Sequence, residues 1–454
     1  MPRTECKPQV TFGFHRQLPV EAVFDAPEVS SDGGLLLLRE ADARLGLTEW
    51  FAACLPDARA AERVEHNRIE QVRQRVFQIA MGYEDCNDAD TLRHDPLFKT
   101  ACDRSPRCPR GLSSQPTLSR FENSVDGRAL NRLRAGLEQS YVDGLAPGTQ
   151  TVVLDIDTTD DATHGEQQLT FFHGFYDQHM YHPLLVFDGT SGDLASVLLR
   201  PGNAHAARSA RSVLCRLVRR IKARFPRAQV VIRGDSGFCM PRILDALEAL
   251  DAELGDVDYI IGIAKNARLL KLAEPIMAQA AEHFAQTRAY VRHFATTTYA
   301  AATWSRERHV IIKAEHQAKG ENPRFVVTTL NEFPGRLIYD RGYCARGQAE
   351  NFIKDLKNAL AADRLSCCRY VANFLRLLLH AAAYRLMHAI RTAAKTSDPE
   401  LGRAQFDTLR LRLLKVAAHV TQSARRILVR LPVAFPAAEV FVAVGRYFAP
   451  PAPA

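Results

Sequence analysis

The segment from residue 151 to residue 263 constrains the fold most strongly, because the spacing of its apolar residues switches several times between a strand pattern and a helix pattern. Alternating or continuous apolar runs predict strands, and a 3.6-residue period predicts helices. The predicted strands are 151–157, 183–187, 194–199, 228–233 and 259–263, and the predicted helices are 204–225 and 241–250. Residues 188–193 are rich in turn formers and join the second and third strands as a hairpin. This order indicates an α/β fold.

The first and fourth predicted strands deliver acidic residues to their ends. In the strand 151–157, apolar residues alternate with Asp155 and Asp157, so both carboxylates lie on one side of the strand. Asp235 follows the strand 228–233 within a Gly-Asp-Ser-Gly turn. An aspartate in such a turn ordinarily caps a helix or stabilises the turn itself. Asp155, Asp160 and Asp161 are close enough to compete with Asp157 for the role of functional acid. We take Asp157 as that acid and keep Asp155, on the same strand face, as the first alternative.

A third acid lies on the predicted helix 343–357. At about 100° per residue, the helix has one apolar stripe, made of Ala345, Ala349, Phe352, Ile353, Leu356 and Leu360. The polar stripe beside it carries Tyr343, Arg346, Glu350 and Lys357. A carboxylate that can hold a divalent metal, beside cations and a hydroxyl that can bind phosphates, suits a phosphodiester substrate. The alternative is an amphipathic helix with a solvated polar face.

The spacing of these four polar residues resembles the signature of the DDE-type bacterial insertion-sequence transposases. The resemblance covers nearly the whole chain and is closest to the insertion sequence 1380 group. It implies a ribonuclease H-like catalytic core with a β-rich insertion. It also implies site residues: Asp157, Asp235 and Glu350 are catalytic and bind metal, and Tyr343, Arg346 and Lys357 contact DNA.

The same resemblance implies the reaction, the cofactors and the partners. We expect cut-and-paste transposition with two Mg²⁺ ions, for which Mn²⁺ is a substitute. The expected partners are double-stranded DNA, as the inverted-repeat ends of the element and as the target, and a second copy of the chain in a synaptic homodimer. Two other functions stay open: a ribonuclease H-like DNA nuclease that joins no strands, and an inactive regulator that binds the DNA ends.

The catalytic core is predicted to span residues 148–267 and 335–365, with the β-rich insertion at 268–334. Residues 1–147 are predicted to form a mainly helical DNA-binding region. Within it, the short helix 113–123, a turn at Asp126-Gly127 and a longer helix suggest a helix-turn-helix or an ordinary helical hairpin. Residues 366–454 are predicted to be helical, with helices at 365–390 and 406–431 and a Pro/Ala-rich tail at 449–454.

Two predicted helices carry polar residues whose direction can be compared with the structure. The helix 69–80 is predicted to be amphipathic, with Gln71 and Gln78 pointing away from its apolar stripe and Arg73 and Arg75 beside that stripe. The helix 204–225 is predicted to turn four cations outward, either into solvent or toward DNA. These are Arg208, Arg211, Arg219 and Lys222.

Composition is consistent with a folded protein that binds a polyanion. The 454 residues are 46% hydrophobic, which suffices for a sizeable core, and the formal charge is +8. We expect no secretion, because no leader-like segment opens the chain, and no membrane partner. The resemblance implies a bacterial cytoplasmic, nucleoid-associated protein. The ten cysteines are expected to be free thiols. His173, His179, His182 and His205 match no metal-ligand spacing, so we assign them no metal.

Overall fold

The computed structural model describes residues 9–14 and 16–449, and its N-terminal part is mainly helical. Short strands β1 (Gln9–Phe12), β2 (Val20–Val23) and β3 (Val29–Ser30) precede helices α1 (Leu35–Leu45), α2 (Leu47–Cys54), α3 (Arg68–Ala80), α4 (Ala89–Leu92), α5 (Pro96–Ala101), α6 (Gln115–Asn123) and α7 (Gly127–Gly144). The Asn67 and Asp126 side chains cap α3 and α7 by accepting backbone N–H groups of the first turn. Such caps satisfy donors that have no partner within the helix.

The middle of the chain contains a large mixed sheet with helices beside it. Its elements are β4 (Thr151–Thr158), β5 (Asp161–Ala162), β6 (Phe171–His173), β7 (Gln178–Tyr181), β8 (Leu184–Asp188), β9 (Leu194–Leu198), α8 (Ala210–Arg224), β10 (Gln229–Gly234), α9 (Pro241–Leu254), β11 (Val257–Ile263), α10 (Ala267–Thr287), β12 (Val291–Tyr299), β13 (Arg308–Gln317), β14 (Gly320–Glu321) and β15 (Arg324–Thr328). The predicted succession of strands and helices between 151 and 263 is confirmed. The small sheet β5-β7-β6 is an addition that the sequence pattern did not predict.

The strand order in the large sheet is β12-β13-β15-β11-β10-β4-β8-β9. Strand β10 runs parallel to both β4 and β11, whereas β8 runs antiparallel to both β4 and β9. In the register of the first pair, Gly234 lies opposite Ile156. The carboxyl ends of β4 and β10 therefore meet at one edge of the sheet, which is where α/β sheets place their sites.

The region predicted as a β-rich insertion, 268–334, continues the central sheet. It contains most of the 21-residue helix α10 before its first long strand, a helix that the β-like runs did not predict. Strand β15 then pairs antiparallel with β11. That pairing satisfies the edge of β11, which would otherwise present unpaired backbone groups.

The last part of the chain is helical except for one hairpin. Its elements are α11 (Gly335–Leu337), α12 (Gln348–Lys354), α13 (Tyr370–Ala394), α14 (Phe406–Leu409), β16 (Ala418–Gln422), β17 (Ile427–Arg430) and α15 (Ala438–Phe448). The predicted helix over 406–431 is confirmed only over 406–414, as α14 and a π-helical turn. The rest of it is wrong, because β16 pairs with both β17 and β3. In β16, Ala418 and Val420 are buried while His419 between them is exposed, a period of two that a helix cannot satisfy. Residues 450–454 of the predicted tail lie outside the described residues.

Helix α3 is a core helix and not the amphipathic surface helix that its apolar stripe predicts. Gln71, Arg73, Arg75 and Gln78 are all buried. Arg75 donates to the Glu122 carboxylate at 2.9 Å, and Glu122 also lies 3.3 Å from Arg376 of α13. Buried charges require such partners, and this cluster joins α3, α6 and α13. The N-terminal helices therefore share a core with the C-terminal helices, and residues 1–147 do not form a separate packing unit.

One face of helix α7 packs against the large sheet. The Tyr141 hydroxyl donates to Asp188 at 2.7 Å, and buried Glu138 accepts from Ser196 at 2.7 Å. Arg128, Asn131 and Arg132 on the same helix are exposed, so the helix-turn-helix and the helical hairpin both stay predictions. Lys222 of α8 is also buried, contrary to its predicted outward direction. Arg219 does face outward, and it pairs with Glu253 at 2.7 Å.

Helix α13 is buried over most of its length. Its buried face contacts α1, α3, α7 and β9. In the part of the chain that the structure describes, no helix is long and apolar enough to cross a membrane.

Candidate functional site

The first acid emerges at the carboxyl end of β4. Leu154 and Ile156 are fully buried on one side of the strand, whereas Asp157 reaches the rim of a cavity of about 470 Å³. The alternation of β4 therefore separates core side chains from side chains that reach the site.

Asp155 lies on the same side of β4 but does not line this cavity. Its two carboxylate oxygens accept Nε and Nη2 of Arg233, each at 2.6 Å, and the residue is fully buried. Arg233 also donates to the Gly342 carbonyl at 3.0 Å. A bidentate, buried pair of this kind holds strands together. Asp155 is thus a structural residue, and the geometry favours Asp157 over its alternative.

Asp235 follows β10 directly, where it both stabilises a turn and lines the cavity. One carboxylate oxygen accepts the Gly237 backbone N–H at 2.8 Å, which is the capping role that its turn predicts. The residue also lines the same cavity as Asp157. Because β4 and β10 are adjacent and parallel, both aspartates lie at the same edge of the sheet.

The helical segment from α11 to residue 359 supplies the other side of the cavity. Arg346, Glu350 and Lys357 line it together with the two aspartates. The segment is less regular than predicted, because residues 338–343 and 355–359 form π-helical turns around the 3-10 turn 344–347 and α12. Such wider turns shift the angular position of later residues. A stripe drawn at 100° per residue therefore describes this polar face only approximately.

Tyr343 lies behind the cavity and not on its wall. A Cβ added to Gly262 of β11 would lie 2.5 Å from the Tyr343 hydroxyl, so glycine is required for this close approach. The Arg346 guanidinium lies 5.9 Å from the centroid of the Tyr343 ring. Burial raises the pKa of this phenol, and the neighbouring Arg346 opposes the shift.

Two ion pairs connect the basic residues to acids of the β4 end. Arg346 Nη1 lies 2.9 Å from Asp157 Oδ2, and Lys357 Nζ lies 2.8 Å from Asp160 Oδ1. Burial raises the pKa of Asp157 to about 6; Arg346 acts against this shift, and the charge of Asp235 adds to it. For Asp160, burial acts upward, but the Lys357 ammonium outweighs it and the pKa is lowered.

The donor set fits a hard divalent cation in its chemistry. Carboxylate oxygens are the ligands that Mg²⁺ prefers, and burial together with the charge of Asp235 disfavours the ionised form of Asp157, which a cation would stabilise. The three acids do not yet form a coordination sphere. Across residues 9–14 and 16–449, no group of three or more His, Cys, Asp or Glu side chains is placed to hold a metal ion. Glu350 is exposed, and Arg346 takes the position beside Asp157.

Part of the cavity wall consists of residues for which the sequence predicted no role. Lys354 and Tyr176 line it, and Asp160, considered only as a competitor of Asp157, binds Lys357. Lys354 could have been found, because it lies four residues after Glu350 and thus on the same helix face. Tyr176 lies in the turn between β6 and β7, and no local pattern indicates that it reaches the cavity.

Comparison with known proteins gives a family for this arrangement. The model of the family described as "Transposase DDE domain group 1" matches residues 12–450. Among solved structures, the chain is similar to the piggyBac transposase in its synaptic complex with hairpin DNA. The two chains are 10% identical, the match covers 84% of this chain and 80% of that chain, and the TM-score is 0.42. A comparison with curated proteins found no match. Since the family model spans nearly the whole chain, this protein belongs to the DDE transposase domain group 1 family.

Proposed function

We propose that this DDE transposase is a member of the insertion sequence 1380 group that binds the inverted-repeat ends of its element and moves it by cut and paste. The observation that carries the proposal is the shared cavity. Asp157, Asp235 and Glu350 come from three separate elements, and they line it together with Arg346 and Lys357. Acids beside cations at one edge of a sheet suit phosphoryl transfer on DNA.

In this proposal Asp157, Asp235 and Glu350 hold the divalent ions that DDE transposases generally use. We propose two Mg²⁺ ions, with Mn²⁺ as a substitute. Bound there, the ions would activate the attacking oxygen and stabilise the charge that develops on the phosphate. Glu350 must move toward the aspartates, and Arg346 must leave Asp157, before the acids can act together.

Arg346 and Lys357 serve as the phosphate ligands of the proposed site. Each is neutralised by a carboxylate in the free protein, and a DNA phosphate would replace that carboxylate as the partner. Tyr343 supports Arg346 from behind, because its ring lies under the guanidinium. A phosphate that binds Arg346 would thus free Asp157 from its ion pair, so DNA binding and the release of Asp157 are coupled.

The reaction has two steps of the same kind. Water attacks the phosphorus at the element end, the bond to the 3′ oxygen breaks, and this oxygen takes a proton to leave a free 3′-hydroxyl. That hydroxyl then attacks a phosphodiester of the target, forming a new bond and releasing a target 3′-hydroxyl. The first step hydrolyses one ester bond and the second exchanges one ester bond for another, so neither step needs an external energy source.

We further propose how the regions share this work. Residues 148–267 and 335–365 form a ribonuclease H-like core, 268–334 acts as its insertion, and the helical region 366–454 supports the core. Residues 1–147 bind the DNA ends. A cavity of about 480 Å³ in this region supports the assignment, because its lining includes Arg59, Arg63, Arg68 and Arg120. A homodimer would hold two ends and the target, within the bacterial cytoplasm near the nucleoid.

Single Asp157→Asn, Asp235→Asn and Glu350→Gln variants of the full chain test the proposal. Each should abolish cleavage of a labelled element end in Mg²⁺ while binding that end within about threefold of the parent, because the lost carboxylates act on the reacting phosphate. Asp363→Asn serves as the control acid, since it lies outside the cavity lining. Cleavage by the Glu350→Gln variant at the parent rate would show that the proposed metal site is wrong.

A further inference from the structure

Strand β6 and the turn that follows it carry exposed aromatic side chains that the proposed chemistry does not use. Phe171 and Phe172 of β6 are 41% and 52% exposed, and Phe175 of the turn is 84% exposed. Among the described aromatic residues, Phe175 is the most exposed phenylalanine, tyrosine or tryptophan. An exposed aromatic face of this kind can stack on a nucleic-acid base.

The turn that carries Phe175 is held in a fixed shape. The backbone N–H groups of Tyr176 and Asp177 both donate to the His173 carbonyl, at 3.1 and 2.9 Å. The His173 ring packs against Tyr176 and His182, with centroid separations of 5.2 and 4.9 Å. His182 is itself buried and bonds the Ala204 carbonyl at 2.7 Å. Phe175 therefore projects from a rigid support, so ordering it on binding costs little entropy.

The same turn forms part of the wall of the candidate site. Tyr176 lines the cavity together with Asp157 and Asp235, and its ring contacts Phe175 edge to face at a centroid separation of 5.0 Å. Gln178, at the start of β7, donates to Asp160 at 3.1 Å. Phe175 thus stands directly outside a cavity whose lining also includes the cations Arg346, Lys354 and Lys357.

We propose that Phe175 is a stacking platform for the base of a nucleotide adjoining the phosphate in the cavity. This inference rests on the proposed function. A strand held by its phosphate on the basic lining places a neighbouring base at the cavity mouth, where an exposed aromatic face offers it stacking. Phe175 is then a positioning residue, and Tyr176 and His173 fix its direction. The base must be unpaired or unstacked to present its face, so the ligand is a frayed or single-stranded DNA end.

The test combines changes in the protein with changes in the DNA. The full-length parent, Phe175→Ala, Phe175→Trp and the control Tyr447→Ala, which removes an exposed aromatic side chain from α15, are titrated with labelled element ends in a chelating buffer. The end duplexes carry an abasic nucleotide at successive positions beside the cleaved phosphate. Oligothymidine serves as a probe that needs no element sequence. Melting temperatures verify that every variant folds.

Phe175→Ala should weaken binding to frayed ends and to oligothymidine by about five- to 100-fold, the range for loss of one base–aromatic stack. Phe175→Trp should bind like the parent, and Tyr447→Ala should have no effect. At one abasic position the loss caused by Phe175→Ala should disappear, because the stacked base is already absent. Equal affinities of the parent and Phe175→Ala for every DNA would overturn the inference.

Two further outcomes separate the inference from the function on which it rests. If the parent cuts element ends but Phe175→Ala binds and cuts equally well, the stacking role is wrong while the transposase proposal stands. If the parent cuts no DNA and Phe175→Ala still loses affinity for oligothymidine, the stacking role stands and the proposed function fails. A change in self-association without any change in DNA affinity would instead assign the turn to a protein contact and refute the stacking role.

Discussion

The Asp157→Asn substitution should stabilise the metal-free protein near neutral pH. Burial, reinforced by Asp235, raises the pKa of Asp157 from its ordinary 3.8 to about 6 in spite of Arg346. A carboxyl group with a raised pKa lowers the free energy of unfolding when it is ionised. This loss is absent below the pKa of the unfolded state and complete above the pKa of the folded state. A shift of about two units corresponds to about 3 kcal/mol at pH 7.5 and to about 1 kcal/mol at pH 4.5. Asparagine has a similar shape and no charge to bury.

The assay is denaturant unfolding of the parent and Asp157→Asn in a chelating buffer at both pH values. The variant's advantage in free energy of unfolding should shrink by about 2 kcal/mol on going from pH 7.5 to pH 4.5. Asp160→Asn is a matched control with the opposite sign. Lys357 lowers the pKa of Asp160, so that carboxylate stabilises the fold near neutrality and this contribution is lost as the pH falls. A pH-independent advantage for Asp157→Asn would refute the electrostatic reasoning.

Three further predictions follow from particular contacts. Glu122→Ala should cost about 3–5 kcal/mol of unfolding free energy, because it leaves Arg75 and Arg376 buried without their shared carboxylate; a loss under 1 kcal/mol in denaturant would contradict the shared core. Asp155→Asn should destabilise the protein at pH 7.5, in contrast to Asp157→Asn, although burial also raises the pKa of Asp155. The reason is that the change leaves the buried Arg233 guanidinium without its bidentate carboxylate, and this loss is the larger effect; equal melting temperatures would count against its structural role. Arg346→Ala and Lys357→Ala should each weaken binding to cleavage-site DNA and reduce the slope of log affinity against log salt concentration by about one. Tyr343→Phe should weaken binding less. An unchanged slope would reject direct phosphate contact.

The succession of strands and helices between 151 and 263 was predictable, because each element carries its own hydrophobic period. The positions of Asp157 and Asp235 at one sheet edge follow from that order. The choice of Asp157 over Asp155 was open in the sequence, since both lie on one strand face. Asp155 pairs with Arg233, which lies on the neighbouring strand and 78 positions away in sequence, and this contact favours Asp157 as the acid that reaches the cavity.

Other features could not be predicted from local pattern. Arg75 and Gln78 look like surface residues because they lie beside or opposite an apolar stripe, yet α3 is surrounded by other helices, and Arg75 finds its charge partner in Glu122. The π-helical turn 338–343 packs against β11, where Tyr343 closely approaches Gly262. The strand β16 forms because β3, nearly 390 residues earlier, provides a pairing edge. Each of these depends on contacts distant in sequence.

A strand-joining assay with the full chain tests the central claim most directly. A labelled element end with a free 3′-hydroxyl is incubated with plasmid target and Mg²⁺, beside the same end carrying a 3′-deoxy terminus. We predict joined products only with the free hydroxyl, and none from the Asp157→Asn, Asp235→Asn or Glu350→Gln variants. Cleavage of the end without joined products would identify a nuclease, and joining by any of the three variants at the parent rate would contradict the assigned site.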